Sequence, residues 1–163
     1  MSDFDIRPAT AADHEAIWRC LEPVIRAGET YALPRDMPRS QALTYWLGND
    51  RQAFVAERNG DIVGTYYLRS NQAGGGAHVC NCAFVTAAAA QGQGIARAMC
   101  RHAMDVARAQ RFRAMQFNFV IASNTRAVAL WQSLGFQMAG RLPQAFAHPT
   151  LGFVDALAMH PAL

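Results

Sequence analysis

The sequence predicts an α/β fold of the α+β kind, and three observations carry that expectation. Asn59-Gly60 stands between two strand-forming runs, 52–57 and 62–68, and this dipeptide is the strongest short-range signal for a hairpin. The run 78–86 reads as a strand that empties into Gln91-Gly92-Gln93-Gly94-Ile95-Ala96, with an amphipathic helix beyond it. Residues 114–121 alternate, placing Met115, Phe117 and Phe119 on one face and Gln116, Asn118 and Val120 on the other.

The remaining elements follow in order. Residues 4–7 read as a short strand, after which Thr10 or Asp13 can cap a helix whose apolar stripe includes Ile17, Leu21 and Val24. Pro23 falls near the end of that pattern. Residues 28–38 hold turn formers and mixed polar and aromatic side chains, so they read as a loop, and a second helix follows over about 40–47. The helix after the glycine turn spans about 94–110, with Ile95, Met99, His102 or Ala103, and Val106 on one stripe. Arg101 and Asp105 are spaced to pair across one of its turns. A helix opening at Asn124 is predicted to bury Ala127, Leu130, Trp131 and Leu134, and Gly135 closes it. Strands near 136–142 and 152–159 end the chain.

At 163 residues the chain suits a single domain, 1–163, large enough to bury a substantial core. Apolar residues make up 52% and charged residues 17%, a balance that argues for folding rather than disorder. All 15 basic residues are arginines, and against 12 acidic residues they leave +3, too little to argue for nucleic acid. Met1-Ser2-Asp3-Phe4-Asp5 lacks the basic and apolar regions of a leader, and no apolar run approaches a membrane span, so the cytoplasm is expected. Cys20, Cys80, Cys82 and Cys100 form no C-x-x-C pair and no zinc spacing with the histidines. They read as buried thiols, and no metal is expected.

A glycine-flanked turn at the head of a helix gathers backbone N–H groups that attract phosphate. A P-loop would need a lysine after its last glycine, and this chain has none. A dinucleotide fingerprint would need Gly or Ala where Arg97 stands, and an acidic residue about 20 positions on. Neither fits. The turn does agree with a second segment, Asn124-Thr125-Arg126-Ala127, continuing to Leu130-Trp131-Gln132-Ser133-Leu134-Gly135-Phe136. Together these motifs resemble the GCN5-related N-acetyltransferases, whose Q/R-x-x-G-x-G/A turn holds the pyrophosphate of acetyl-CoA; here it is Gln91-x-x-Gly94-x-Ala96. The resemblance spans most of the chain and is strongest over 79–136.

That resemblance implies a mixed, mostly antiparallel sheet splayed between its fourth and fifth strands, with flanking helices and acetyl-CoA in the gap. It implies donor contacts from Gln91, Gly92, Gln93, Gly94, Ile95, Ala96 and Arg97, completed by Asn124 and Trp131. It further implies that backbone groups of Phe84, Val85 and Thr86 align the pantetheine, a strand N–H near Phe84 facing the thioester oxygen. One oxyanion donor is worth about 3 kcal/mol. For Phe84 itself, a core role stands beside the ligand role.

Proton handling departs from the family pattern. Many relatives carry Tyr where Trp131 stands, and an indole N–H cannot protonate a leaving sulfur near neutrality. Trp131 is therefore assigned to donor packing or to the core. The strand before the turn also lacks the glutamate that many relatives use to receive the amine proton. His78 and Cys82 are chemically able alternatives, as a titratable group and a nucleophile, set against a surface histidine and a buried hydrophobe.

Asn81 and Asn118 each interrupt an apolar strand, where an unsatisfied amide is costly. Each is either bonded to nearby backbone or placed to orient the acceptor. Glu29 and Tyr31 in the loop between the first two helices are further acceptor candidates, against a solvated carboxylate and a ring that covers core. The segments 118–120, 134–136, 148–149 and 151–157 also look like the branch that acetylates azetidine-2-carboxylate and related proline analogues. The expected activity is direct transfer of acetyl from acetyl-CoA to a small amino-acid-like amine, in a protein that can form a homodimer. The rival expectations are a peptide or protein N-acetyltransferase and a CoA-binding module without catalysis.

Overall fold

The computed structural model describes residues 3–163; the reading of Met1 and Ser2 as free of a leader lies outside the described residues. Strand β1 (Asp5–Pro8) runs through a 3-10 turn into α1 (His14–Ala27), which the left-handed Gly28 closes at φ 67°. Arg7 grips the Asp13 carboxylate with two bonds, of 2.8 and 2.9 Å, tying β1 to the start of α1. The loop that follows leads to α2 (Arg39–Trp46).

The predicted hairpin is β2 (Arg51–Arg58) and β3 (Asp61–Ser70), turning at Asn59 (φ 52°) and Gly60 (φ 86°). Positive φ at both positions is what a two-residue turn matched to the strand twist requires. Strand β4 (Val79–Thr86) then lies antiparallel to β3. The sheet order is β1-β2-β3-β4-β5, where β5 is only Ala114–Met115, parallel to β4.

Residues 114–121, expected as one strand, divide. Gln116 N–H still donates to the Cys80 carbonyl at 2.8 Å, but the Gln116 carbonyl accepts from the Asn81 side chain at 2.9 Å. A side-chain amide thus takes the place of the next ladder donor. Beyond that point β6 (Phe117–Ile121) leaves β4 and pairs antiparallel with β8 (Gly152–His160), which pairs in turn with β7 (Gln137–His148). This is the expected splay, and Asn81 stands at its apex.

Strand β7 outruns the predicted boundary near Leu142. Pro143 offers no ladder donor and Gln144 sits at φ 51°, so the pairing breaks into a bulge between Leu142 and Phe146 before resuming. An alternation pattern cannot follow a strand across that irregularity.

Two apolar layers sandwich the five-stranded sheet, and β4 feeds both by its two-residue period. Cys80 and Cys82 enter the layer that holds Ile95, Met99 and Ala103 of α3 (Ile95–Ala109), while Ala83 and Val85 enter the layer under α1 and α2 with Ile17, Leu21 and Trp46. Within α3 the predicted pairing is replaced: Asp105 pairs with Arg108 at 3.0 Å, three residues on, rather than with Arg101.

Candidate active site

The gap opened at Asn81 is a cavity of about 630 Å³, bounded by β4, β6, the head of α3, α4 (Thr125–Ser133) and the loop after α1. Such a volume is typical of small-molecule sites. Its walls follow from the parity of β4. The Cys80 carbonyl faces β5, so alternation turns the backbone groups of Cys82, Phe84 and Thr86 toward the same side, where no strand remains to receive them. An extended ligand with amides of its own can add there as a strand.

At one end lies the glycine turn. Gly92 and Gly94 take φ values of 76° and 81°, and Gly94 leads directly into α3 at Ile95. A Cβ on Gly94 would meet nothing within 4 Å, so glycine is required there by backbone conformation rather than by crowding. The first N–H groups of α3 have no partner within the helix, and Gly94, Ile95, Ala96 and Arg97 border the cavity. Gln91 and Gly92 complete that border.

The opposite wall is α4. Asn124 caps it by accepting from Ala127 N–H at 3.2 Å, and Arg126 reaches to 3.7 Å from where a Gly92 Cβ would stand. Arg97 donates to Ser133 Oγ at 2.8 Å, bridging the two helices. Among the described residues, Arg97 and Arg126 are the only charged side chains on the cavity wall. Both stand at the turn, where they add fixed positive charge to the α3 dipole. Arg126 lies two residues beyond Asn124 in the sequence, and only the fold shows that it reaches Gly92.

Ala127, Leu130 and Leu134, predicted to be buried, are half-buried, and the first two line the cavity with Trp131. Trp131 is the buried one. Its ring packs on Phe84 (5.3 Å between centroids) and Phe117 (4.9 Å), so donor-side wall and core meet in one aromatic cluster. Val85 and Thr86 also line the cavity.

At the other end the lining is neutral. Asn81 is half-buried with its amide bonded to the Gln116 carbonyl, so it has the backbone partner that a structural role requires and still borders the cavity. Asn118 differs from expectation. Because β6 has left the sheet, its side chain is exposed, accepting from Gln116 Nε2 at 3.0 Å and donating to Asn71 Oδ1 at 2.7 Å. No burial penalty weighs on it, yet it too faces the cavity.

Two further expectations are corrected. Glu29 is exposed and off the wall; the residues after it, Thr30 to Leu33, line the cavity instead. The Gln93 side chain is also off the wall, accepting from Arg58 and donating to the Ala89 carbonyl. His78 is exposed outside the cavity. Cys82 borders it, but burial pushes its thiol well above the ordinary range, which removes the thiolate a nucleophile needs.

Tyr31 occupies the middle. Its hydroxyl donates to the Phe84 carbonyl at 2.7 Å and accepts from the Phe84 N–H at 3.1 Å. Tyr45 and Tyr67, which the sequence did not single out, flank it on the wall.

A splayed mixed sheet with a glycine turn heading the helix beside the gap defines an acyl-CoA-dependent acyltransferase. Residues 14–136 match the model of the Acetyltransferase (GNAT) family, and the chain belongs to that family. It is similar to a GCN5-related N-acetyltransferase from Kribbella flavida at 41% identity, with 99% of this chain and 98% of that one covered and a TM-score of 0.94. N-acetyltransferase aca1 of Schizosaccharomyces pombe is 25% identical over 151 residues, 81% of this chain and 71% of that protein. The fold is shared with yncA of Salmonella typhimurium, solved with its cofactor acetyl-CoA, at 22% identity, 99% and 95% coverage and a TM-score of 0.86. The enzyme is thus an N-acetyltransferase, and the acetyl donor of its family is acetyl-CoA. The residues present fit that donor: two left-handed glycines, unpaired helix-head N–H groups and two arginines for phosphates, and an open strand edge for an amide-bearing arm.

Proposed function

We propose that the chain transfers acetyl from acetyl-CoA to the amine of a small amino-acid-like acceptor, as one cytoplasmic domain spanning 1–163. The observation that carries this reading is the partition of charge along one cavity: both charged side chains stand at the glycine turn, and the far end offers only neutral polar groups, chiefly Asn81, Asn118 and Thr30. Neutral amides suit a zwitterionic acceptor, since an amide carbonyl accepts from an ammonium and its NH₂ donates to a carboxylate.

When bound, acetyl-CoA supplies the activated acyl carbon. Gln91, Gly92 and Gly94 to Arg97, with Arg126 and Asn124, hold the diphosphate end. The edge of β4 at Phe84 to Thr86 aligns the arm, with Trp131 packed against Phe84 behind it. Asn81 and Asn118 orient the acceptor, and confinement in one cavity supplies the approach geometry. In the net reaction the acceptor nitrogen loses a proton and the released thiol gains one. No Asp, Glu or His borders the cavity among the described residues, so the amine must reach the site already neutral or lose its proton through water.

The finer resemblance to enzymes acting on azetidine-2-carboxylate and proline analogues names the first acceptors to try. Thiol release should be followed with acetyl-CoA and a panel of free amino acids, these cyclic imino acids and short peptides. Turnover on the small amines is the expected result. Preference for peptides would establish a protein acetyltransferase, and tight CoA binding without thiol release on any amine would establish a non-catalytic module. A homodimer, also expected from the family resemblance, is tested by light scattering.

A further inference from the structure

We infer that Tyr31 is a catalytic residue, a second hydrogen-bond donor to the thioester oxygen alongside the Phe84 N–H; this rests on the acetyltransferase reading above.

The geometry begins with the two bonds at Phe84. A strand edge facing an open gap leaves an N–H and a C=O that need partners. At Phe84 one phenolic hydroxyl satisfies both, accepting at 3.1 Å and donating at 2.7 Å, just as one residue of an added strand would. The hydroxyl therefore occupies the place that a ligand carbonyl must take to bond the Phe84 N–H. A carbonyl arriving there displaces the hydroxyl oxygen from the N–H and becomes its immediate neighbour.

Tyr31 cannot travel far. Its ring packs edge-on against Trp46 (6.3 Å between centroids), and Trp46 is itself fixed by donating to Thr65 Oγ1 at 3.0 Å. A shift of the hydroxyl by about one hydrogen-bond length turns its proton from the Phe84 carbonyl to the incoming oxygen. The Phe84 carbonyl is thereby freed for an amide N–H of the arm. Burial raises the phenol well above its ordinary range, so the proton is present wherever the enzyme works.

The role is donation without transfer. As the acceptor nitrogen forms its bond to the acyl carbon, negative charge gathers on the oxygen held by Phe84 N–H and Tyr31 O–H. As the carbonyl re-forms, the C–S bonding pair leaves with the sulfur, and the proton that the nitrogen gives up reaches that thiolate through solvent. Preorganised donors of this kind act where charge develops. The sequence points to Tyr31 as an acceptor contact or a ring that covers core, and Trp131 leaves the site without the usual hydroxyl on α4.

The test uses Tyr31→Phe in the full chain. Calorimetry should show acetyl-CoA affinity within about threefold of the parent, while thiol release falls about hundredfold in kcat with KM for acetyl-CoA unchanged. Infrared difference spectra of bound acetyl-CoA labelled with ¹³C at the acetyl carbonyl should show a lowered stretch in the parent that partly reverts in the variant. An unchanged stretch and a kcat within threefold of the parent would overturn the inference while leaving the acetyltransferase reading intact. Failure of the parent itself to bind acetyl-CoA would instead overturn that reading. Should Tyr31→Phe not fold, a crystal structure of the unaltered chain with a ketone analogue of acetyl-CoA decides: Tyr31 Oη about 3 Å from the analogue carbonyl supports the inference, and Oη still bonded to Phe84 refutes it.

Discussion

The two ends of the cavity are built from different materials. At the proposed donor end the recognition groups are mostly main chain, the helix-head N–H groups after Gly94 and the edge of β4, supported by two arginines. At the proposed acceptor end they are side chains delivered from three separate segments: the loop at Thr30, β4 at Asn81 and β6 at Asn118. Backbone recognition demands particular conformations and therefore particular residues, above all glycine. Side-chain recognition demands only that distant segments meet, which many sequences can arrange.

The strongest way to break this comparison is at Gly94. Valine there should weaken acetyl-CoA binding by roughly a hundredfold or more, measured by calorimetry. A β-branched residue resists φ 81°, and a side chain would stand where phosphate must approach. Because a Cβ at this position meets no neighbour within 4 Å, the fold should survive, with circular dichroism unchanged. Intact donor binding in this variant would mean that the turn does not hold the coenzyme.

A smaller loss is expected from Arg126→Gln, about thirtyfold in acetyl-CoA affinity with acceptor KM unchanged, in keeping with a charge-assisted bond of about 2 kcal/mol. The loss should shrink in high salt, because the parent's advantage is electrostatic. Equal losses for acetyl-CoA and acceptor would blur the two ends into one.

At the acceptor end Asn118→Ala should raise acceptor KM about fivefold and leave acetyl-CoA affinity alone. The modest size follows from exposure: this amide already bonds Asn71 and Gln116, so its net worth to a ligand is about 1 kcal/mol. A variant that instead loses stability with unchanged kinetics would make Asn118 a tie between β6 and the loop at Asn71. Asn81 cannot serve for so clean a test, since its amide also terminates the β4–β5 ladder.

The same contrast explains what could be read from the chain. The hairpin at Asn59-Gly60, the strand leading into Gly92 and Gly94, and the Asn124 cap were legible because each forces a local backbone state with few residue solutions. The splay was available only through the family resemblance, because alternation over 114–121 continues smoothly across the residue where the ladder ends. Asn81 and Asn118 looked alike as polar interruptions of apolar strands, yet one closes a ladder and the other lies open to the gap. Glu29 and Tyr31 were equal candidates in one loop, and only their three-dimensional placement separates an exposed carboxylate from a hydroxyl bonded to Phe84.

The smallest expected effect probes the helix behind the donor end. His102 on α3 bonds the Tyr66 hydroxyl through Nδ1 at 2.7 Å and stacks edge-on against Phe54, and burial holds its pKa below the ordinary histidine value while Asp105 opposes that shift. The unfolded chain then takes up a proton more readily than the folded one. Stability from this group is present above the unfolded pKa of about 6.5 and declines as pH falls from there toward the lowered folded value. His102→Gln should flatten the dependence of urea-unfolding free energy on pH just below 6.5, while acceptor KM stays constant. If the slope persists unchanged, the acid sensitivity of the fold originates elsewhere. A change in acceptor KM would show that α3 reaches across the cavity and that its two ends are not independent.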